Sequence, residues 1–451
     1  MRNYLLLLPV VGLLSACSTP TANLPKAPVP TTWPVSAPVT EAPAYMNKVW
    51  WTQGSDDTLL NLLATADQNS HDIRMATARL QEARAAHATV RSLLFPDIAA
   101  AGVVQRGDVG LTYGNRTINI AQGELNASYD LDLFGGLKAQ SKAAKAGAAA
   151  AEASLDDVKG AVRLEIIAAY IGLRQSQQNL ESLKITAASA HDISASLRDQ
   201  WQKGLITEGQ WHAADTEARA ADIGVSRYTD ACEQYINVLS VLTGDDKMTL
   251  RDTLATPGKV PTLRHTEAIN TPMALLRDRP DMRVAESNLT AARASTRSAQ
   301  AALFPNLSIG AFFGSQDTSV GPSVDVWNTA AAVYWPLLNF GRIKGQINAA
   351  SAREVQAYEG YRLTAIAALA DVRMKWVAAE QAETRVGLAS ADLDAAARRH
   401  GEVERQYRAG LTPKIAWQAS SIQLETARRA LTDAEADRSL KAAALYRAEG
   451  L

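Results

Sequence analysis

The sequence predicts a mainly α fold with a small β part, built as two tandem structural repeats, each helix-strand-strand-long helix-turn-helix. Three observations carry this expectation. The chain repeats itself: Asp72-Ile73-Arg74-Met75-Ala76 aligns with Asp281-Met282-Arg283-Val284-Ala285, and Phe95-Pro96 with Phe304-Pro305, at an offset of 209 residues. Farther along, Phe134-Gly135 aligns with Phe340-Gly341, Gly204-Leu205 with Gly410-Leu411 and Trp211 with Trp417, now at an offset of 206. A unit of about 200 residues is far longer than the repeat of a solenoid. Between Ala121 and Leu133 apolar and polar residues alternate, which is the period of a half-buried strand. Finally, there is no proline from Asp97 to Thr256 or from Leu337 to Thr412, and only proline-free stretches accommodate very long helices.

Taken in order, residues 1–16 have the layout of a signal peptide: Arg2, an apolar run from Leu5 to Leu14, then Ser15-Ala16. The run is too short to span a bilayer as a helix. Leu14-Ser15-Ala16-Cys17 resembles the bacterial lipobox, so Cys17 is the expected lipidation site, carrying palmitate-type acyl chains. Residues 17–48 then form a lipidated Pro-rich leader, since eight of the 17 prolines occur by residue 43 and such a composition is extended and semi-rigid.

Repeat 1 is expected over 49–256. Its hairpin covers about 97–133, with a first strand from Asp97 to about Arg106, a turn over Gly107 to Asn115, and the alternating strand. A long helix over about 136–203 follows; Ile166, Leu173, Leu180, Ala187, Ser194 and Trp201 recur every seven residues, as in a coiled-coil seam. After Gly204-Leu205 a return helix covers about 208–242. Repeat 2, over 257–451, has a hairpin at about 306–340 and helices at about 342–409 and 413–448, with Pro413 suited to a first helical turn.

Composition excludes several functions. With a net charge of -1 and 21% charged residues there is no electrostatic footprint for nucleic acid. Cys17 and Cys232 make no disulfide framework or metal-ligand spacing, and the six histidines are scattered. No phosphate-cradling glycine loop and no nucleophile motif occurs, so no enzyme, no cofactor and no metal site is expected.

Four strands of about ten residues match a bilayer-spanning β-strand in length, yet membrane barrels begin at eight strands. An open edge in lipid leaves backbone groups unsatisfied, so chains must pool their strands. Two chains give about 8 strands and three give about 12; the larger number leaves a lumen. If the apolar strand face meets lipid, Glu124, Asp130 and Asp132 on the polar face are candidate lumen-facing acids. Phe95, Phe134, Phe304, Phe340, Tyr129 and Trp335 cluster at strand ends as a candidate interfacial girdle.

"RPDMRVAESNLTAARASTRSAQAALFPNLSIGAFFG" (Arg279 to Gly314), the lipobox, the segment from Trp50 to Asn69 and the two Gly-Leu turns together resemble the TolC-like outer-membrane factors, most closely the lipid-anchored NodT/OprM branch. The resemblance implies a homotrimer whose 12-stranded outer-membrane β-barrel continues as a periplasmic helical tunnel. It implies an exit duct of a tripartite efflux or export system, partnered by a periplasmic adaptor (membrane fusion) protein, by an inner-membrane pump through that adaptor, and by outer-membrane lipid. Gly204, Leu205, Gly410 and Leu411 correspond to the family's adaptor-docking tip, and Ile415, Trp417 and Trp211 to a candidate gate region. The chain departs from the family at Ala419, where members often carry an acidic residue, so no closing carboxylate ring is assigned. The rival reading is a lipid-anchored periplasmic coiled-coil spacer or scaffold; a spacer has no need of two alternating hairpins with aromatic ends.

Overall fold

The computed structural model describes residues 56–108, 117–264, 272–319 and 321–450. Cys17, the signal peptide and the Pro-rich leader lie outside the described residues.

In chain order the elements are α1 (Asp57–Asn69), α2 (His71–Ser92), β1 (Asp97–Asp108), β2 (Thr117–Leu131), α3 (Gly136–Gln202), α4 (Glu208–Thr243) and α5 (Lys247–Leu254). Then follow α6 (Pro272–Asp278), α7 (Pro280–Ala301), β3 (Asn306–Thr318), β4 (Gly321–Tyr334), α8 (Arg342–Arg408) and α9 (Lys414–Ala448). Each repeat therefore opens with two helices in place of one, broken at Ser70 in the first and at Arg279 in the second. The short helix α5 carries no signal of its own in the periodicity. It packs Leu250 and Leu254 into the core and is capped by Asp246, whose carboxylate accepts from the Met248 amide at 3.0 Å.

Two compact units cut across the repeats. One holds Arg79–Glu152 and Val284–Leu363; the other holds Ala153–Arg283, the chain from Thr364 onward and, among the described residues, 56–78. Each repeat gives half of both units, because its hairpin and its long helices each seek a partner in the other repeat.

In the first unit the four strands form one antiparallel sheet in the order β1-β2-β3-β4. The central pairing joins the repeats, with Leu131 opposite Leu307 and Ile120 opposite Thr318. β1 extends through Gly107 and Asp108, which pair with Ile118 and Thr117, so the first two residues expected in the turn belong to the strand. β2 ends at Leu131, two residues before the alternation does. Apolar Leu125 is exposed in the single chain, while neighbouring Gln122, Glu124 and Asn126 are half-buried on the other face.

In the second unit the helices form a layer in the order α4–α3–α9–α8. α3 meets α4 through His191 Nε2 and Asp222 at 2.9 Å, and meets α9 through Gln175 Nε2, which donates to Asp433 at 2.6 Å. α9 meets α8 where His400 Nδ1 lies 2.8 Å from Ser420 Oγ. α3, 67 residues long, would measure about 100 Å at the α-helical rise. Its expected seam is buried in part: Ile166, Leu173, Ala187 and Ser194 are covered, whereas Leu180 and Trp201 are half-buried. The α3–α9 seam is polar. Ser182 Oγ donates to Glu425 Oε2 at 2.7 Å, Asn179 Nδ2 to Asp433 at 2.7 Å, and Arg429 Nη1 to Thr186 Oγ1 at 3.0 Å.

The two edges of this layer are apolar and uncovered. On α8, Ala365, Ala368, Val372, Trp376, Ala379 and Ala382 are buried within the chain, while Ile366, Val377 and Leu388 on the opposite side are exposed. These three stand eleven residues apart, the spacing that keeps a stripe almost straight along a helix. On α4, Ile223, Val238 and Val241 are likewise exposed, away from buried Ala218, Ile236 and Leu239.

Candidate functional site: the Gly-Leu turns, the polar sheet face and the Arg279 junction

The two long hairpins end in the same turn. At the end of α3 the Gly204 amide donates to the Trp201 carbonyl at 2.8 Å and the Leu205 amide to the Gln200 carbonyl at 2.9 Å. At the end of α8 the Gly410 amide donates to Tyr407 and the Leu411 amide to Gln406, both at 2.9 Å. This pair of main-chain bonds is the Schellman motif, which needs a left-handed residue; Gly204 has φ +69 and Gly410 φ +74. Leu205 is 71% exposed and Leu411 79%, so each leucine closes its turn through its amide and not through its side chain. The first turn is further tied by the Thr207 amide, which donates to Gln210 Oε1 at 2.9 Å. In the second, Pro413 occupies the N-cap and the helix starts at Lys414.

Trp211 and Trp417 each stack across their own hairpin. Trp201 and Trp211 have ring centroids 4.8 Å apart and Tyr407 and Trp417 5.1 Å apart, both nearly parallel. Trp211 and Trp417, which the sequence offered as part of a candidate gate region, thus each have a stacking partner; Trp201 and Tyr407 were not singled out as a pair, although the 206-residue offset relates them too. Ile415 is half-buried on α9 and Ala419 is exposed. Nearby, Asp192 on α3 is bound by Lys414 at 2.9 Å and by the Gln418 amide; the Lys414 bond holds its carboxyl below the usual carboxylate value.

On the sheet, Glu124 is held from both sides: Gln122 Nε2 and Asn126 Nδ2 donate to its two oxygens at 2.9 Å. Asp130 lies on the same strand face, with Asn306 Nδ2 3.5 Å away. Asp132 does not share their role. It lies past the end of β2, and its carboxylate accepts from the amides of Leu137 at 3.0 Å and Lys138 at 2.7 Å. The free amides at the start of α3 draw in the nearest carboxylate, so Asp132 is a helix cap and its placement among the strand-face acids is corrected.

The stretch beginning Arg279-Pro280-Asp281 forms a junction whose role the sequence did not disclose. Arg279, 12% exposed at its side chain, donates to both oxygens of Asp281 at 3.0 and 2.8 Å, to the Ala448 carbonyl at the end of α9 at 2.6 Å, and lies 3.6 Å from Asp371 on α8. Burial pushes the Asp281 carboxyl up, but the Arg279 bonds outweigh it and hold the group below its ordinary value. Gly450 packs here, an added Cβ lying 3.0 Å from the Arg279 nitrogen; at the equivalent place in repeat 1 a Cβ on Gly244 would lie 2.8 Å from the Asn69 carbonyl oxygen. The residue before each glycine is buried. In repeat 1 it is Thr243, whose hydroxyl donates to the Leu239 carbonyl at 2.8 Å. In repeat 2 it is Glu449, whose Oε1 has no hydrogen-bond partner.

Burial pushes the Glu449 carboxyl from 4.5 up to about 7. The folded chain therefore binds more protons than the unfolded one between those values, and stability falls as pH rises through that window. Glu449→Gln is expected to abolish that fall and to stabilise the protein at pH 8 by about 3 kcal/mol while changing little at pH 4.5. Thermal unfolding of both proteins at the two pH values checks this; parallel pH profiles refute it.

A cavity of about 840 Å³ adjoins the junction, lined by charged groups that satisfy one another, such as Arg447 with Asp157 at 3.1 Å and Arg283 with Asp156 at 2.9 Å. Such a lining differs from the apolar pocket with few polar groups that suits a small-molecule ligand. Among the described residues no cluster of metal-ligating side chains occurs, and no helix is long and apolar enough to cross a membrane. Cys232 is half-buried with its thiol pushed up by burial.

The model of the family described as outer membrane efflux protein matches residues 62–245 and 271–451, most of the chain. The chain belongs to the outer membrane efflux protein family. Curated relatives of this efflux protein include the pyoverdine export outer membrane protein OpmQ of Pseudomonas putida, 28% identical over 431 residues, with 91% of this chain and 89% of that protein covered. The outer membrane protein OprJ of Pseudomonas aeruginosa is 28% identical over 371 residues, covering 79% of this chain and 77% of OprJ. The fold matches that of the outer-membrane channel OprN with a TM-score of 0.80 at 24% identity, over 96% of this chain and 98% of that one. It matches the Campylobacter jejuni CmeC channel with a TM-score of 0.81 at 21% identity, over 96% and 94%. This is the TolC-like architecture, and the protein is an outer-membrane efflux channel, so the spacer reading is set aside.

Proposed function

We propose that three copies of this efflux protein close its two open layers into one duct, with the four strands of each copy contributing to a 12-stranded outer-membrane barrel. The observation that carries this is that both layers end unfinished. The sheet leaves β1 and β4 as edges, and the helical layer leaves α4 and α8 with exposed apolar stripes. Unpaired strand edges are not tolerated in lipid, and a heterologous edge-to-edge contact closes into a ring. In this arrangement the α8 stripe of one copy meets α4 of the next. The face bearing Glu124 and Asp130 lines the lumen, opposite the apolar face that meets lipid. Cys17 supplies a lipid anchor, consistent with the export signal that precedes it. The chain passes substrates outward without chemistry of its own, receiving them from an inner-membrane pump through a periplasmic adaptor.

The adaptor docks on the two Gly-Leu turns, whose leucines are exposed and unused by the fold. Ile415, Trp211 and Trp417 lie within a few residues of those turns, so docking there acts on the candidate gate. Cysteine placed at Leu205 and at Leu411 is expected to cross-link the cognate adaptor in membranes, while cysteine at Ile98 on the sheet does not. If neither turn position ever captures the adaptor while all three variants assemble, the docking assignment is wrong.

A further inference from the structure

All four strand–helix joints lie at one end of the sheet, since Asp97 begins β1 opposite Ser128 and Asn306 begins β3 opposite Tyr334, both near the strands' exits into α3 and α8. Phe134 and Phe304 stack there with centroids 4.7 Å apart, and Trp335 Nε1 donates to the Leu303 carbonyl at 3.2 Å. The link from β4 to α8 exposes Leu337, Leu338 and Phe340, and Phe340 is fully exposed with φ 46, left-handed for a residue with a bulky side chain. An apolar segment held out in this way meets an apolar neighbour outside the chain.

Immediately beyond this rim the charge is of one sign. Gly136 to Ala151 contains Lys138, Lys142 and Lys145 and no acid, and Arg342 to Ala352 contains Arg342 and Lys344 and no acid. All five are exposed, and none of their side chains has an ion-pair partner among the described residues. Farther along the same helices the pattern changes, with Arg84 paired to Glu152 at 3.3 Å and Arg293 to Glu354 at 3.6 Å. The spacing of 138, 142 and 145 places the three lysines on one side of α3, where like charges repel. Lys138, Arg342 and Lys344 moreover stand in first helical turns, where the helix dipole disfavours cations. Asp132, which caps the first turn of α3, offsets this in part at Lys138, and an external anion beside the apolar rim supplies attraction for the rest of the band.

We propose that this basic band binds the anionic phospholipid headgroups of the leaflet that meets this end of the sheet, with the apolar rim seated among the acyl chains. The long side chains reach from the helices to the phosphates while their methylene stems lie against apolar surface. The proposal rests on the outer-membrane setting and not on the number of copies or on the adaptor.

The test is lipid selectivity of the full-length protein reconstituted in phosphatidylcholine, with trace spin-labelled phosphatidylglycerol or phosphatidylcholine reporting on the lipids at its surface. The protein is expected to prefer phosphatidylglycerol, by up to about five-fold for each basic side chain that reaches a headgroup, and to lose that preference in high salt. Lys138→Gln/Lys142→Gln/Lys145→Gln should lose most of it, and the matching Lys→Arg triple should keep it, which separates charge from misfolding. No preference in the unmodified protein, or one unchanged by the glutamine variant, overturns the proposal. So does displacement of the label by millimolar inorganic phosphate with no distinction between the two lipids, which would mark a free-anion site. A variant that alters only ion selectivity across a planar bilayer would place the lysines in the lumen and overturn it as well.

Discussion

Replacing Arg279 with methionine is expected to loosen the end of α9 from the start of α7, lowering local stability by about 3 kcal/mol. The side chain joins Asp281, Asp371 and the Ala448 carbonyl, so its loss strands a partly buried carboxylate and uncaps the negative end of a 35-residue helix. Methionine keeps much of the packing volume and removes only the charge and the donors. Lysine should restore little, because a point charge cannot hold both Asp281 oxygens and a carbonyl at once. Hydrogen exchange of the amides from Ala442 to Ala448 measures the effect, with protection falling by about two orders of magnitude. Unchanged protection in the methionine variant would show that the apolar contacts of Tyr446 and Leu445 hold the junction unaided.

The second large effect is expected at the edge of the helical layer. Ile366→Asp together with Val377→Asp places two charges on the stripe proposed to be covered by α4 of the next copy. Each lost apolar side chain removes about 1.5–3 kcal/mol of burial, and each aspartate adds a desolvation cost of similar size or larger. Because a closed ring repeats the contact at every interface, the losses multiply, and the variant should run as a monomer in detergent by light scattering. The residues face away from the packed side of α8, so its helical content should be retained. A variant that remains trimeric would place the interface elsewhere.

Much of the architecture was legible because it is written locally. Alternation from Ala121, the heptads of α3 and the proline-free stretches each record a period that one element must satisfy, and the repeated Gly-Leu pairs mark both turns within a residue or two. What was not legible depends on residues far apart in the chain. Arg279 stood in the most recognisable stretch, but its role requires Asp371 and Ala448, brought near only by folding. Asp132 continued the alternation of the strand and so read as part of it, whereas the amides of Leu137 and Lys138 claim it at the corner. The compact units cut across the tandem repeats because each repeat is an incomplete layer that its twin extends, a pairing no local period records.

The two hairpin turns close through backbone bonds, those of the Leu205 and Leu411 amides among them, and a left-handed glycine, which leaves the two leucine side chains outside the thermodynamics of folding. Selection can therefore rewrite these two side chains at almost no cost to the scaffold. If the adaptor docks here as proposed, partner choice and structural integrity are uncoupled at this spot, and a lineage changing pumps, or an engineer grafting one, can alter the docking surface by point substitution and keep the fold intact.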